Sequence, residues 1–278
     1  MTVATAFEKA RAEGRGTLVG YLPAGFPTVD GAIAACLAMV DAGVDVVEVG
    51  LPYSDPVMDG PVIQRASDAA LRAGFRVADV LRTVSAVART GTPTLVMTYW
   101  NPVERYGVRA FARDLAAAGG AGLITPDLIP DEADEWLSAS DEHGLDRVFL
   151  VAPSSTERRI AATVEACRGF VYATSVMGVT GARARTSDAA PTLVSRVRAA
   201  TDLPVGVGLG VSNGTQAAEV AGYADGVIVG SALVRCLQSD SEAKSPEAAQ
   251  DAGVDAVRAL TVDLAAGVRT RTPAASRH

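Results

Sequence analysis

The feature that most constrains this chain is an alternation repeated eight times: a short valine-, leucine- or isoleucine-rich run, then a segment with helical periodicity. The apolar runs fall at 17–22, 44–49, 94–98, 121–125, 147–151, 170–173, 204–207 and 226–229. Runs apolar on both faces belong to strands covered on both sides, as parallel strands are. Between and after them the pattern predicts helices at 30–41, 61–72, 77–89, 109–118, 132–143, 156–167, 190–201, 215–221 and from 231 onward. A further short helix, 4–13, precedes the first strand. Asp30 is placed to cap the first of the crossover helices, and Pro61 suits the opening turn of the next. Parallel strands joined by helical crossovers close either into a doubly wound sheet or into a barrel. Eight such units in 278 residues fit a closed (β/α)8 TIM barrel, one domain over 1–268 with an extra N-terminal helix. The polar stretch 239–250 reads as a mobile connection before a last helix at about 251–264, and 269–278 as a disordered tail.

Composition narrows the chemistry. A net charge of −7 without a basic stripe argues against nucleic acid or an anionic membrane as partner. Three dispersed cysteines, Cys36, Cys167 and Cys236, fit a reduced, cytoplasmic setting rather than a disulfide framework. With only His143 and His278 as histidines, a histidine metal site or a Ser-His-Asp triad has little to build from. His143, just before Gly144, reads as a charge at a helix C-terminus. Neither a signal peptide nor a membrane-spanning run is expected.

Within the second apolar run sits a carboxylic acid, Glu48, and the loop after it carries Asp55 and Asp59. Burial disfavours the ionised form of a strand glutamate and raises its pKa, whereas a loop carboxylate in a wetter setting stays ionised. Two carboxyl groups in unlike surroundings suit proton transfer near neutral pH. Position alone also allows Glu48 to be a structural group satisfied by an arginine. Asp59 before Gly60-Pro61, and Asp55 before Pro56, read equally as helix caps or Asx-turns. Glu48 shares a strand face with Val46 and Gly50, and periodicity does not say whether that face is the barrel interior. Gly208-Leu209-Gly210 and Gly230-Ser231 follow two adjacent strands, where barrels commonly bind phosphate on backbone amides. Tight βα turns would explain either pair singly; both together favour an anion site. Gly178-Val179-Thr180-Gly181, flanked by arginines and hydroxyl residues, suits a lid or a plain connection.

These motifs resemble the α subunit of tryptophan synthase over roughly the first 235 residues. The likeness is carried by Tyr21-Leu22-Pro23-Ala24-Gly25-Phe26-Pro27, the segment 48–64, Met97-Thr98-Tyr99-Trp100-Asn101-Pro102, Pro126-Asp127-Leu128, residues 178–181, 207–212 and 229–232. It implies a barrel lyase that splits indole-3-glycerol phosphate into indole and glyceraldehyde 3-phosphate by retro-aldol cleavage. On this resemblance Glu48 shuttles protons and Asp59 hydrogen-bonds the indole nitrogen. Tyr21, Tyr99 and Leu128 line the indole pocket, and Tyr172 lies near the scissile bond. Gly181, Gly210 and Ser231 bind phosphate, with Gly208 and Gly230 shaping the turns, and Thr180 meets Asp59 when the lid closes. The resemblance implies no metal and no cofactor in this chain. Pyridoxal phosphate is expected in a β subunit that forms an α2β2 heterotetramer with it, and Asp55 faces that partner. Leu209, where many members carry Phe, and Ile129, where many carry Pro, depart from the family pattern. Rival readings are a non-catalytic barrel that activates a partner, or another phosphate-binding barrel enzyme. A Schiff-base aldolase is disfavoured because the only lysines, Lys9 and Lys244, fall outside the predicted strands.

Overall fold

A computed structural model describes residues 2–174, 189–238 and 245–270. Its strands are β1 (Thr17–Pro23), β2 (Val46–Gly50), β3 (Thr94–Met97), β4 (Gly122–Thr125), β5 (Asp146–Val151), β6 (Val171–Thr174), β7 (Val205–Gly208) and β8 (Gly226–Val229). Each pairs in parallel with the next, and β8 returns to β1, so the sheet closes in sequence order. The helices are α1 (Val3–Ala12), α2 (Val29–Asp41), α3 (Pro61–Arg72), α4 (Val77–Ala88), α5 (Trp100–Tyr106), α6 (Val108–Ala117), α7 (Asp134–His143), α8 (Glu157–Ala166), α9 (Ala189–Arg198), α10 (Gly214–Ala221), α11 (Ser231–Gln238) and α12 (Pro246–Arg269). No helix among the described residues is long and apolar enough to cross a membrane.

Two apolar clusters follow from the alternation of side chains along each strand. One lies inside the barrel: Val19, Val46, Leu95, Ile124, Val148, Phe170 and Ile228. The other, with Val47, Val49, Val96, Leu123 and Val207, packs the outer strand faces against helices. Helix α1 closes the N-terminal end of the barrel with Val3, Ala6 and Phe7, and Phe7 lies 5.4 Å from Phe170 between ring centroids. The same end is tied by Arg15, whose guanidinium grips the Asp45 carboxylate through two hydrogen bonds of 2.6 and 2.8 Å. The opposite, C-terminal mouth is left to the βα loops.

Three elements differ from the sequence expectation. Asp30 does not cap α2; Thr28 does, its hydroxyl accepting Gly31 N–H, and Asp30 sits in the first turn. Helix α5 follows β3 where no helix was expected, capped by Asp127, which accepts Trp100 N–H at 2.9 Å. The final helix begins at Pro246, not near 251, because Ser245 caps it by accepting Ala248 N–H, and it continues to Arg269. The part of the expected connection at 239–244 and the tail at 271–278 lie outside the described residues.

Candidate active site

Glu48 shares its strand face with Val46, and Val46 belongs to the interior cluster, so the glutamate points into the barrel. It is fully buried, and neither carboxyl oxygen has a hydrogen-bond partner among the described residues. The arginine that would make it a structural ion pair is therefore missing among the described residues. Burial alone pushes its pKa up to about 8. At neutral pH such a group holds its proton and can give it away.

Asp59 ends the β2–α3 loop. Its expected alternative role as a cap does not hold: Gly60 is the N-cap of α3, with no side-chain capping bond. The Asp59 carboxyl instead hydrogen-bonds Tyr99, and its backbone carbonyl accepts the Gln64 side-chain amide at 2.8 Å. Burial raises its pKa while the Tyr99 bond opposes the rise. Asp59 is thus less wet than the loop position implied, and its ionised form is supported by a hydrogen bond rather than by open solvent.

Two tyrosines flank Glu48. Tyr21 is its register neighbour on β1, and Tyr172 stands on β6 with its ring 6.3 Å from that of Phe170. Burial holds both phenols far above their usual pKa, so both remain O–H groups. The rings need space that glycines leave. A Cβ on Gly50 would come within 2.6 Å of the Tyr21 Cζ, and one on Gly208 within 2.5 Å of the Tyr172 hydroxyl. The strand-end glycines are as much room for tyrosines as turn formers.

The glycines expected to bind an anion lie on two neighbouring loops. Gly208 ends β7, and Gly210 follows at φ +70°, a conformation open to glycine at little cost. Gly230 follows β8, and the buried Ser231 begins α11, whose N-terminus directs backbone N–H groups and partial positive charge outward. Leu128 is buried three residues beyond β4. Asp55 is exposed on the β2–α3 loop, its carboxylate accepting the Ser54 hydroxyl at 2.6 Å, and nearby Val57 is also exposed. Thr180 and Gly181 lie outside the described residues. Of the two lysines, Lys9 is on α1 at the closed end and Lys244 is outside the described residues. Among the described residues no cluster of metal-ligating side chains occurs.

Sequence reasoning missed the tether on Asp59. Gln64 lies in the loop–helix segment, one turn into α3, and its spacing from Asp59 was the available signal. The Tyr99 contact spans 40 positions and had no local signal.

A closed eight-stranded barrel with a buried acid, a second carboxyl and glycine-rich turns at its C-terminal mouth has the build of a barrel enzyme of the acid–base type. Comparison with known proteins narrows the class. The family model for the tryptophan synthase alpha chain matches residues 7–261, and the chain belongs to that family. A tryptophan synthase alpha chain from Salinispora arenicola is 70% identical over 268 residues, 96% of this chain and 98% of that one. One from Nocardia farcinica is 61% identical over 272 residues, 98% of this chain and 97% of its own. A structure of Mycobacterium tuberculosis tryptophan synthase matches with a TM-score of 0.88 at 62% identity, covering 96% of this chain and 98% of that chain. A tryptophan synthase alpha chain from Legionella pneumophila gives 0.85 at 32% identity, covering 96% and 97%.

Proposed function

We propose that Glu48 and Asp59 carry the chemistry of this chain, Glu48 as proton shuttle and Asp59 as the partner of the indole nitrogen. As a member of the tryptophan synthase alpha chain family, the chain is a carbon–carbon lyase of L-tryptophan biosynthesis. It cleaves indole-3-glycerol phosphate to indole and glyceraldehyde 3-phosphate. The single observation that carries the assignment is Glu48, buried in the barrel interior without a partner among the described residues and ready to donate near neutral pH.

In this reading the Glu48 carboxylic acid gives its proton to C3 of the indole ring. The ring becomes an iminium, an electron sink conjugated to the scissile bond, with positive charge on the nitrogen. Asp59, ionised and beside that nitrogen, stabilises the charge. The Glu48 carboxylate then takes the proton from the hydroxyl on the carbon attached to C3. The carbon–carbon bond breaks, its electron pair restores the neutral indole, and the hydroxyl carbon becomes the aldehyde. Glu48 ends as it began, protonated. Tyr21, Tyr99 and Leu128 line the ring side of the pocket in this reading, and Tyr172 stands near the scissile bond. Gly210, Ser231 and Gly181 hold the phosphate, with Gly208 and Gly230 shaping the cup and Thr180 closing toward Asp59. No cofactor belongs to this chain. Pyridoxal phosphate belongs to the β subunit with which the family's α chains form a heterotetramer, and the exposed Asp55 and Val57 loop is the surface assigned to it. A cytoplasmic setting is supported by three free cysteines. Residues 1–268 are assigned to one domain.

The test is indole formation from indole-3-glycerol phosphate by purified full-length chain, alone and with a β subunit. Glu48→Gln and Asp59→Asn should each fold and form indole at less than about a hundredth of the normal rate, the scale of losing a general acid or a charge stabiliser. Normal turnover in either variant would remove that residue from the mechanism.

A further inference from the structure

Asp59 has to meet a developing cation at one place, yet it sits at the end of a ten-residue loop between β2 and α3. The geometry around it shows what holds it. Tyr99 is the N-cap residue of α5, a position fixed by Asp127 through the Trp100 N–H. From there its hydroxyl oxygen accepts at 3.0 Å the N–H of Met58, the residue before Asp59. Its proton is then left for the Asp59 carboxylate. The Tyr99 ring lies 5.4 Å from that of Tyr53, at the other end of the same loop. One side chain from β3–α5 thus holds the loop by its hydroxyl at Met58 and by its ring at Tyr53, with the hydroxyl turned to the functional carboxyl.

We infer that Tyr99, expected only to line the pocket, is a positioning residue for the reaction: its hydroxyl aims the Asp59 carboxylate at the indole nitrogen and keeps it in its accepting form. This rests on the role proposed for Asp59. Gln64 holds the Asp59 carbonyl from α3 and fixes the backbone but not the charge. Among the described residues the titratable groups that bear on this corner are Tyr99 from the α5 cap, Tyr21 from β1, Glu48 from β2 and Tyr172 from β6; both carboxyls act on Tyr21. No cation among the described residues influences Asp59, whose ionisation is opposed by burial and favoured by the Tyr99 bond. Removing that donor leaves only the opposing influence.

The experiment compares kcat/KM against pH for wild type, Tyr99→Phe, Gln64→Ala and Asp59→Asn, in full-length chain bound to a β subunit. Tyr99→Phe keeps the ring, its stacking and the pocket wall. Its acidic limb should move to higher pH, with a loss of about tenfold on the acid side, the worth of one hydrogen bond to a charge, that shrinks as pH rises. Gln64→Ala should lower the rate without moving the limb. A Tyr99→Phe profile with an unmoved limb, or with an equal loss at every pH, overturns the inference. An active Asp59→Asn would instead overturn the role of Asp59 itself, whatever Tyr99→Phe does.

Discussion

Replacing Glu48 by Gln should abolish the reaction and make the protein gain stability on wild type progressively as pH rises. In the folded chain Glu48 holds its proton up to about 8, whereas its ordinary value is 4.5. Between those values the folded state binds a proton that the unfolded state has released. Stability therefore falls as pH rises through this window, by up to about 1.4 kcal/mol per pH unit. From about pH 6 to about pH 8 the loss due to Glu48 comes to about 2 kcal/mol. Glutamine fills the same space, cannot ionise, and removes this slope. Its amide meets the same lack of partners that Glu48 has among the described residues, which adds an offset that does not change with pH. Asp146, which burial pushes up to about 6, contributes a slope of the same sign, but it is common to both proteins and cancels in their difference. Urea unfolding of wild type and variant at several pH values measures that difference. Glu48→Gln should gain about 2 kcal/mol on wild type between pH 6 and 8, or about 4–8 °C in Tm for a chain of this size. A difference that stays flat over that range would show that Glu48 is already ionised when folded, and the proton-donor assignment would fall with it.

Two further perturbations separate the anion cup from the catalytic corner. Ser231→Ala removes a hydroxyl at the N-terminus of α11 and should raise KM for the phosphorylated substrate about ten- to a hundredfold with kcat little changed; an unchanged KM would place the phosphate elsewhere. Gly50→Ala drives a methyl group into the Tyr21 ring and should lower kcat/KM about a hundredfold, the scale of a displacement near 1 Å, in a protein whose circular dichroism is unaltered; wild-type kinetics would show that Tyr21 has no fixed place in the pocket.

The barrel was legible because its strands are buried on both faces and its breaks are marked by Gly, Pro and Asp. Strand limits moved by a residue or two, as hydrogen-bonded ends do. Helix α5 was hidden by Pro102 and two aromatics near its start, a composition that reads as loop. It forms because an N–H is not needed in a first turn and because Asp127, from the next βα loop, supplies the cap. The start of α12 was written in Ser245-Pro246-Glu247 but lost within a polar stretch. At the site, the two carboxyls could be found from their places along the chain. Their surroundings could not. The inward face of β2 is decided only by closure of the barrel, and the hold on Asp59 comes from Tyr99, on a different βα unit.

The two carboxyls are made unlike by opposite means. Glu48 is given nothing among the described residues: both oxygens lie buried without donors there, which favours the proton and leaves the lone pairs for a substrate hydroxyl. Asp59 is given a donor and two backbone anchors, so it faces a cation from a fixed place. An arginine beside Glu48 would make a dead barrel, since the ion pair would draw its pKa down and end its use as an acid near pH 7. Gly50 and Gly208 likewise serve the acid, because a larger side chain at either has no room without moving the tyrosines that frame it. Local instability at this mouth is thus a condition of the chemistry, and the stability difference between wild type and Glu48→Gln measures it directly.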